Sequence, residues 1–256
     1  MSIRVCGLAV TAVKGTRLRE VESVSLGPQG ARGNRSFYVI DERGRMLNGK
    51  PLGALQAVIA DYDEVADELA LTFADGAHIS GPAAGGGPIE TRFFSDSRVD
   101  RVIDGQLSDA LSEQLGRPLR LVATEVGVDR GAHGAVSLIS RGSLARLAQA
   151  LGTESLDARR FRMLIEIDGV APHAEDDWVD RHVRAGEALL AFSGHVGRCM
   201  VTTRNPDSGE VDLRTLHALT SYRSDHPSAE PLPFGIYGAV LEPGAVSIGD
   251  AVAVEG

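Results

Sequence analysis

One cysteine stands where it could do chemistry. Cys199 lies in the stretch Gly197-Arg198-Cys199-Met200-Val201-Thr202-Thr203-Arg204-Asn205-Pro206-Asp207-Ser208-Gly209, where an apolar-flanked, strand-like run enters a polar turn. The thiolate is the nucleophile and metal ligand of cysteine chemistry, and a neighbouring guanidinium such as that of Arg198 favours it. Asn205 to Gly209 is dense in turn formers, which holds Cys199 near an exposed strand end. A plain structural reading stands beside this one. An unpaired cysteine also packs as a small apolar side chain, and Asp207 also serves simply as a turn former.

Other chemistry-bearing residues form weaker patterns. Glu175-Asp176-Asp177 is a carboxylate run, but one short run rarely supplies all the oxygen ligands of a hard cation, and it reads as a turn before a strand. The seven histidines are scattered, with no pair at ligand spacing on an expected helix. Of these, His133 and His173 read as satisfied or exposed side chains, and His195 sits four residues before Cys199. The glycines of Gly81-Pro82-Ala83-Ala84-Gly85-Gly86-Gly87-Pro88 lack the lysine-serine pair and the helix start of a phosphate loop, so this run is a loop.

With 256 residues the chain can bury a large core, as one domain or two. It carries 26 basic and 35 acidic side chains, a formal net charge of −9, which speaks against a general affinity for nucleic acid or anionic membranes. The two cysteines, Cys6 and Cys199, are read as reduced thiols. Residues 1–10 are too short and too interrupted an apolar run for a signal peptide, and nowhere do about 18 apolar residues follow one another. The expectation is a soluble, cytoplasmic protein with no nucleic-acid or membrane partner.

The elements that must position these residues are mostly strands. Short β-branched or apolar runs at 3–10, 21–26, 36–40, 58–62 and 69–73, separated by Gly, Asp and Pro, suggest a barrel. The stretch 74–105 is too irregular to assign. A helix is expected over 104–115, from Leu107, Ala110, Leu111 and Leu115, ending at Gly116 before Pro118. A clearer one spans 140–151, with Leu144, Leu147, Ala148 and Leu151 on one face, Ser140 or Gly142 near its start and Gly152 as its stop. Strands at 163–167, 188–192, 198–203 and 239–241, a short helix at 215–222 and a closing strand at 246–254 complete the second half.

Arg198-Cys199 followed by Thr202-Thr203 and Pro206-Asp207-Ser208-Gly209 resembles the signature of MOSC domains. So do Phe161-Arg162, Ala174 to Trp178, Leu216-Leu219-Tyr222-Arg223, Pro233-Phe234-Gly235-Ile236-Tyr237, and Pro243-Gly244 leading to Ile248-Gly249-Asp250. Upstream, Val13-Lys14-Gly15, Gly33-Asn34-Arg35-Ser36-Phe37 and Val39 to Gly44 resemble the β-barrel domain that precedes MOSC in the amidoxime-reducing group. The resemblance implies a β-rich α+β chain of two β-barrel-like domains with a few flanking helices, divided as 1–100 and 101–256. It implies a molybdenum cofactor whose metal takes Cys199 as ligand. Lys14, Arg35, Arg162 and Arg198 would lie around the pterin and phosphate with Thr202 and Ser140, and Asp207 would orient the loop or move protons.

The implied activity is reduction of N-hydroxylated or N-oxide small molecules, with electrons from a separate protein. Neither an iron–sulfur cysteine set nor a Gly-x-Gly-x-x-Gly fingerprint is present. Two alternatives stay open: a sulfur carrier using a Cys199 persulfide, and a non-catalytic barrel that binds a small molecule. Three motifs depart from the amidoxime-reducing pattern. Lys14-Gly15 replaces Lys-Ser, Asn34-Arg35 replaces Asp-Arg, and Phe161-Arg162-Met163-Leu164 replaces Phe-Arg-Pro-Asn.

Overall fold

The computed structural model describes residues 2–93, 96–125 and 133–255. Its largest sheet has eight strands in the order Val252–Glu255, His182–Ala185, Ala188–His195, Ile236–Glu242, Val136–Ser140, Ile165–Asp168, Arg4–Val10 and Arg19–Glu20. The first strand also reaches the last turn, through Val5 N–H to Asp250 O at 2.9 Å and Gly249 N–H to Val5 O at 2.8 Å, so the sheet nearly closes on itself. Val136–Ser140 and Ile165–Asp168 run parallel. Between them lies α2 (Arg141–Leu151), the crossover that a parallel pair requires.

A five-stranded sheet (Pro88–Phe93, Asp96–Ile103, Arg120–Ala123, Phe37–Ile40, Met46–Leu47) and a three-stranded one (Ile59–Asp63, Glu68–Thr72, His78–Pro82) enclose the other main core. Helix α1 (Gln106–Gln114) adds Leu107 and Leu111 to it. That core runs from Ala12 to Leu121, whereas Val5 and Leu8 pack with Ile165, Leu190 and Val246 in the core of the large sheet. The strand Asp96–Ile103 spans residue 100. The described residues are β-rich with three α-helices, α3 being Thr215–Arg223. No helix among the described residues is long and apolar enough to cross a membrane.

Three expected elements differ. The stretch 74–105, which the sequence left unassigned, holds the strands His78–Pro82, Pro88–Phe93 and Asp96–Ile103. The closing strand is two strands, Gly244–Ser247 and Val252–Glu255, parted by a turn in which Asp250 Oδ2 accepts the Ser247 N–H and Gly249 adopts a φ of +93°. Residues 198–203 are not a strand. Cys199 is extended, and Met200–Thr203 forms a 3-10 turn. The Thr202 and Thr203 hydroxyls cause this by bonding back to Cys199 O at 3.1 Å and Met200 O at 2.7 Å, a local alternative to a sheet ladder.

Helix α2 starts as its sequence requires, with the Ser140 side chain accepting the Ser143 N–H, and ends at Gly152 with φ +69°. Its first turn also holds a fully buried carboxylate. Glu175 Oε1 accepts Ser140 N–H at 3.1 Å and Ser143 Oγ–H at 2.6 Å, and Oε2 accepts Ser140 Oγ–H at 2.8 Å. The positive end of the helix favours this charge. Glu175→Ala leaves those donors buried without an acceptor and is expected to cost about 3 kcal/mol in urea unfolding, with Glu175→Gln costing less because it keeps an acceptor oxygen.

Candidate functional site

The two halves of the chain meet around a cleft of about 500 Å³, inside the ~300–1,000 Å³ range of small-molecule sites. Lys14, Gly15, Arg35, Asn48 and Gly49 line it from the first half, and Arg160, Arg162, Arg198, Cys199, Thr202 and Tyr237 from the second. Five of its wall residues are cationic and, among the described residues, none is a carboxylate. In a chain of net charge −9 this is a local reversal of sign, and it favours an anionic ligand.

Two arginines tie the halves together. Arg35 Nη2–H donates to Arg162 O at 2.7 Å, and Arg162 Nη2–H donates to Thr16 O at 2.8 Å. Both residues have a φ of +56°, a left-handed conformation that costs an arginine on the order of 1–3 kcal/mol and concentrates at functional sites. Lys14 is nearly buried, and its backbone N–H bonds Phe37 O at 2.7 Å. Arg160 makes a two-pronged pair with Asp212 at 2.6 and 2.7 Å, which holds the Asp212 carboxyl below the usual range.

Arg198 has a different part from the one its place beside Cys199 suggested. Its side chain is buried, with Nε–H donating to Phe234 O at 2.7 Å and Nη1–H to Phe161 O at 2.8 Å. Nη2–H reaches Met163 Sδ at 3.1 Å and also Phe234 O. Burial pulls this guanidinium down to about 9, still cationic at neutral pH. Arg198 is thus the pin between the segments that carry Arg162, Gly235 and Cys199.

The Cys199 thiol is exposed on the cleft, at the start of the Met200–Thr203 turn, and Thr202 Oγ1 shares a hydrogen bond of 2.8 Å with Thr215 Oγ1. Cys6 is the opposite case. Partial burial and the neighbouring Glu166 charge push its thiol up to about 12, so it stays protonated. Alkylation at neutral pH is therefore expected to modify Cys199 on the order of a hundredfold faster than Cys6, read as peptide-resolved labelling rates.

Lys14, Arg35, Arg162, Arg198, Cys199 and Thr202 line one cleft; Ser140 and Asp207 do not. Alternation along the strand Val136–Ser140 sends residues 137 and 140 to opposite faces. Ser137 lines the cleft and accepts the Leu164 N–H at 3.0 Å, while Ser140 turns to Glu175. Asp207 lies in an exposed turn, paired with Arg159 at 3.0 Å and Arg17 at 3.4 Å, and the Arg159 bond holds its carboxyl below the ordinary range. Ser137, Asn48, Gly49 and Tyr237 were missed by sequence reasoning. Only Tyr237 carried a signal, as the end of the Pro233-to-Tyr237 run.

The departures from the amidoxime-reducing pattern also have physical correlates. Gly15 has a φ of +97°, where a serine would be strained, and a Cβ there would meet Leu55 Cδ1 at 3.3 Å. Asn34 Oδ1 accepts the Thr11 N–H at 3.1 Å, and Leu164 is buried in the core of the large sheet.

The MOSC domain family model matches residues 125–253, half of the chain. Mitochondrial amidoxime-reducing component 1 of Mus musculus is 36% identical over 121 residues, 45% of this chain and 35% of that protein. Its Xenopus laevis namesake is 26% identical over 275 residues, covering 95% of this chain and 78% of the relative. Molybdenum cofactor sulfurase of Oryza sativa subsp. japonica is 30% identical over 151 residues, 47% of this chain and 18% of that protein. The chain spans about a third of the mouse relative and less than a fifth of the rice one. With its matched segment contributing most of the cleft wall, including Cys199, the chain belongs to the MOSC domain family.

Proposed function

We propose that this chain is a molybdenum-cofactor oxidoreductase that reduces N-hydroxylated or N-oxide small molecules, with Cys199 as the protein's ligand to the metal. The observation that carries the reading is the donor set of the cleft: an exposed thiol in a space walled by five cations and no described carboxylate. That set suits both ends of the cofactor. A thiolate suits a soft metal centre held by a dithiolene, and Lys14, Arg35 and Arg162 suit its phosphate. The relatives named for amidoxime reduction and for molybdenum cofactor sulfuration support the same assignment.

When bound, the cofactor would supply the two-electron chemistry that removes oxygen from nitrogen. The chain's own part is to bind and orient. Arg35 and Arg162 are prefixed by their bonds to backbone carbonyls, so little freedom is lost when an anion docks between them. Phe161, Met163, Val196 and Val201 add apolar side chains to the same cleft wall. Reduction of an N-hydroxyl group to N–H consumes two electrons and two protons and releases water. With two cysteines and no dinucleotide fingerprint, the chain depends on a separate protein for those electrons.

The test is molybdenum and pterin content of the chain purified from a host that makes the cofactor, followed by reduction of an N-hydroxylated amidine with a reduced viologen as donor. Near-stoichiometric metal and substrate-dependent viologen oxidation are expected. Metal-free protein from a competent host would sink the reading, and cyanide-releasable sulfur on Cys199 would establish the sulfur carrier in its place.

A further inference from the structure

Among the described residues, three ligand-type side chains converge from distant parts of the chain. Asp176 lies in the 3-10 turn Ala174–Trp178, His195 ends the strand Ala188–His195, and His226 follows α3. Their ligand atoms all lie within 4.8 Å of one another. His195 Nε2 stands 3.7 Å from Asp176 Oδ1, and His226 Nε2 stands 3.6 Å from Asp176 Oδ2.

Those separations are too long for hydrogen bonds. The 3.7 Å between His195 Nε2 and Asp176 Oδ1 comes close to the edge, about 3.3 Å, of a tetrahedron whose central zinc ion sits ~2.0–2.1 Å from each ligand. Asp176 Oδ1 and His195 Nε2, which face each other, are buried and have no hydrogen-bond partner. Native structures leave few such atoms unsatisfied, and an ion is one standard reason for an exception.

We propose that Asp176, His195 and His226 form a binding site for a divalent transition-metal ion, with Zn²⁺ as the reference case and water completing its shell. Two imidazoles and one carboxylate are a donor set that suits such ions better than Mg²⁺ or Ca²⁺.

Two neighbours act on the site. Arg223 Nη2 pairs with Asp176 Oδ2 at 2.8 Å while its Nε–H bonds Pro233 O at 3.0 Å. Its positive charge weakens capture of a cation, yet it also orients the carboxylate and leaves Oδ1 for the metal, as outer partners of ligating carboxylates do. Ser228 N–H donates to His226 Nδ1 at 3.2 Å. Capture at Nε2 moves the ring proton to Nδ1 and gives up that one bond, so residues 226–228 shift on loading. His195 precedes Val196, whose N–H and C=O bond Gly235 and Phe234. Metal would therefore clamp the strand that leads to Cys199 against the end of α3.

The test is titration of the whole chain with Zn²⁺ and Co²⁺ in a Cys199→Ala background, where the exposed thiol cannot hold the ion. One equivalent bound at micromolar Kd, a Co²⁺ spectrum without thiolate charge transfer, and a raised Tm are expected. His195→Ala and His226→Ala should each weaken binding at least about tenfold. His195→Gln and His226→Gln serve where an alanine variant does not fold, as judged by circular dichroism before any metal is added. No saturable binding below about millimolar metal, or binding that the folded histidine variants retain, overturns the proposal.

Discussion

Cys199→Ala is expected to lower turnover of N-hydroxylated substrates at least about a thousandfold and to strip most of the molybdenum, while leaving the fold almost untouched. The size follows from position. Removing partners outside a metal's ligand shell costs about 10–100-fold, so removing Cys199, the metal ligand we propose, costs more. The fold is spared because the thiol is exposed and alanine can take the same extended backbone. Unfolding free energy should move by less than about 0.5 kcal/mol, as for most surface substitutions. Molybdenum analysis, steady-state rates and urea unfolding on the same preparation separate the two effects. Full metal content and rate in the variant would remove Cys199 from the site.

Arg198→Ala is expected to cost about 4 kcal/mol, the largest loss of stability of any single substitution considered. Two buried carbonyls, those of Phe161 and Phe234, lose their donors, each at about 1–3 kcal/mol. The guanidinium also sits 5.3 Å over the Phe161 ring, and its removal leaves a cavity beside Phe161, Met163 and Phe234. Release of a buried charge offsets part of this. Arg198→Lys should recover less than half, because one ammonium cannot span two carbonyls as a planar fork does. Urea midpoints measure the loss. Since Phe161 precedes Arg162, Phe234 precedes Gly235 and Arg198 precedes Cys199, the alkylation rate of Cys199 should change in the same variants.

Much of the fold is legible along the chain because short-range rules govern it. Helix α2 follows from the spacing of Leu144, Leu147 and Ala148, the Ser140 cap and the left-handed Gly152. The helix near 104–115 and the strands of the first half follow from the same kind of pattern. Where a local competitor is present, the pattern misleads. Thr202 and Thr203 bend the stretch after Cys199 into a 3-10 turn, and Gly249 with Asp250 breaks the last strand in two.

The sequence by itself determined the motif order of a MOSC domain and offered the candidates within it: a thiol beside a turn and arginines at 35, 162 and 198. Tertiary structure alone decided what each of them faces. Strand alternation put Ser137 rather than Ser140 on the cleft, and burial made Arg198 a pin between carbonyls. Asp207 went to a surface pair with Arg159, and Asp176 met two histidines 19 and 50 positions away. The physical reason is the same in each case. Spacing along a chain fixes neighbours within a turn or a strand pair, whereas the partner of a charge or a ligand atom is set by which elements a shared core presses together.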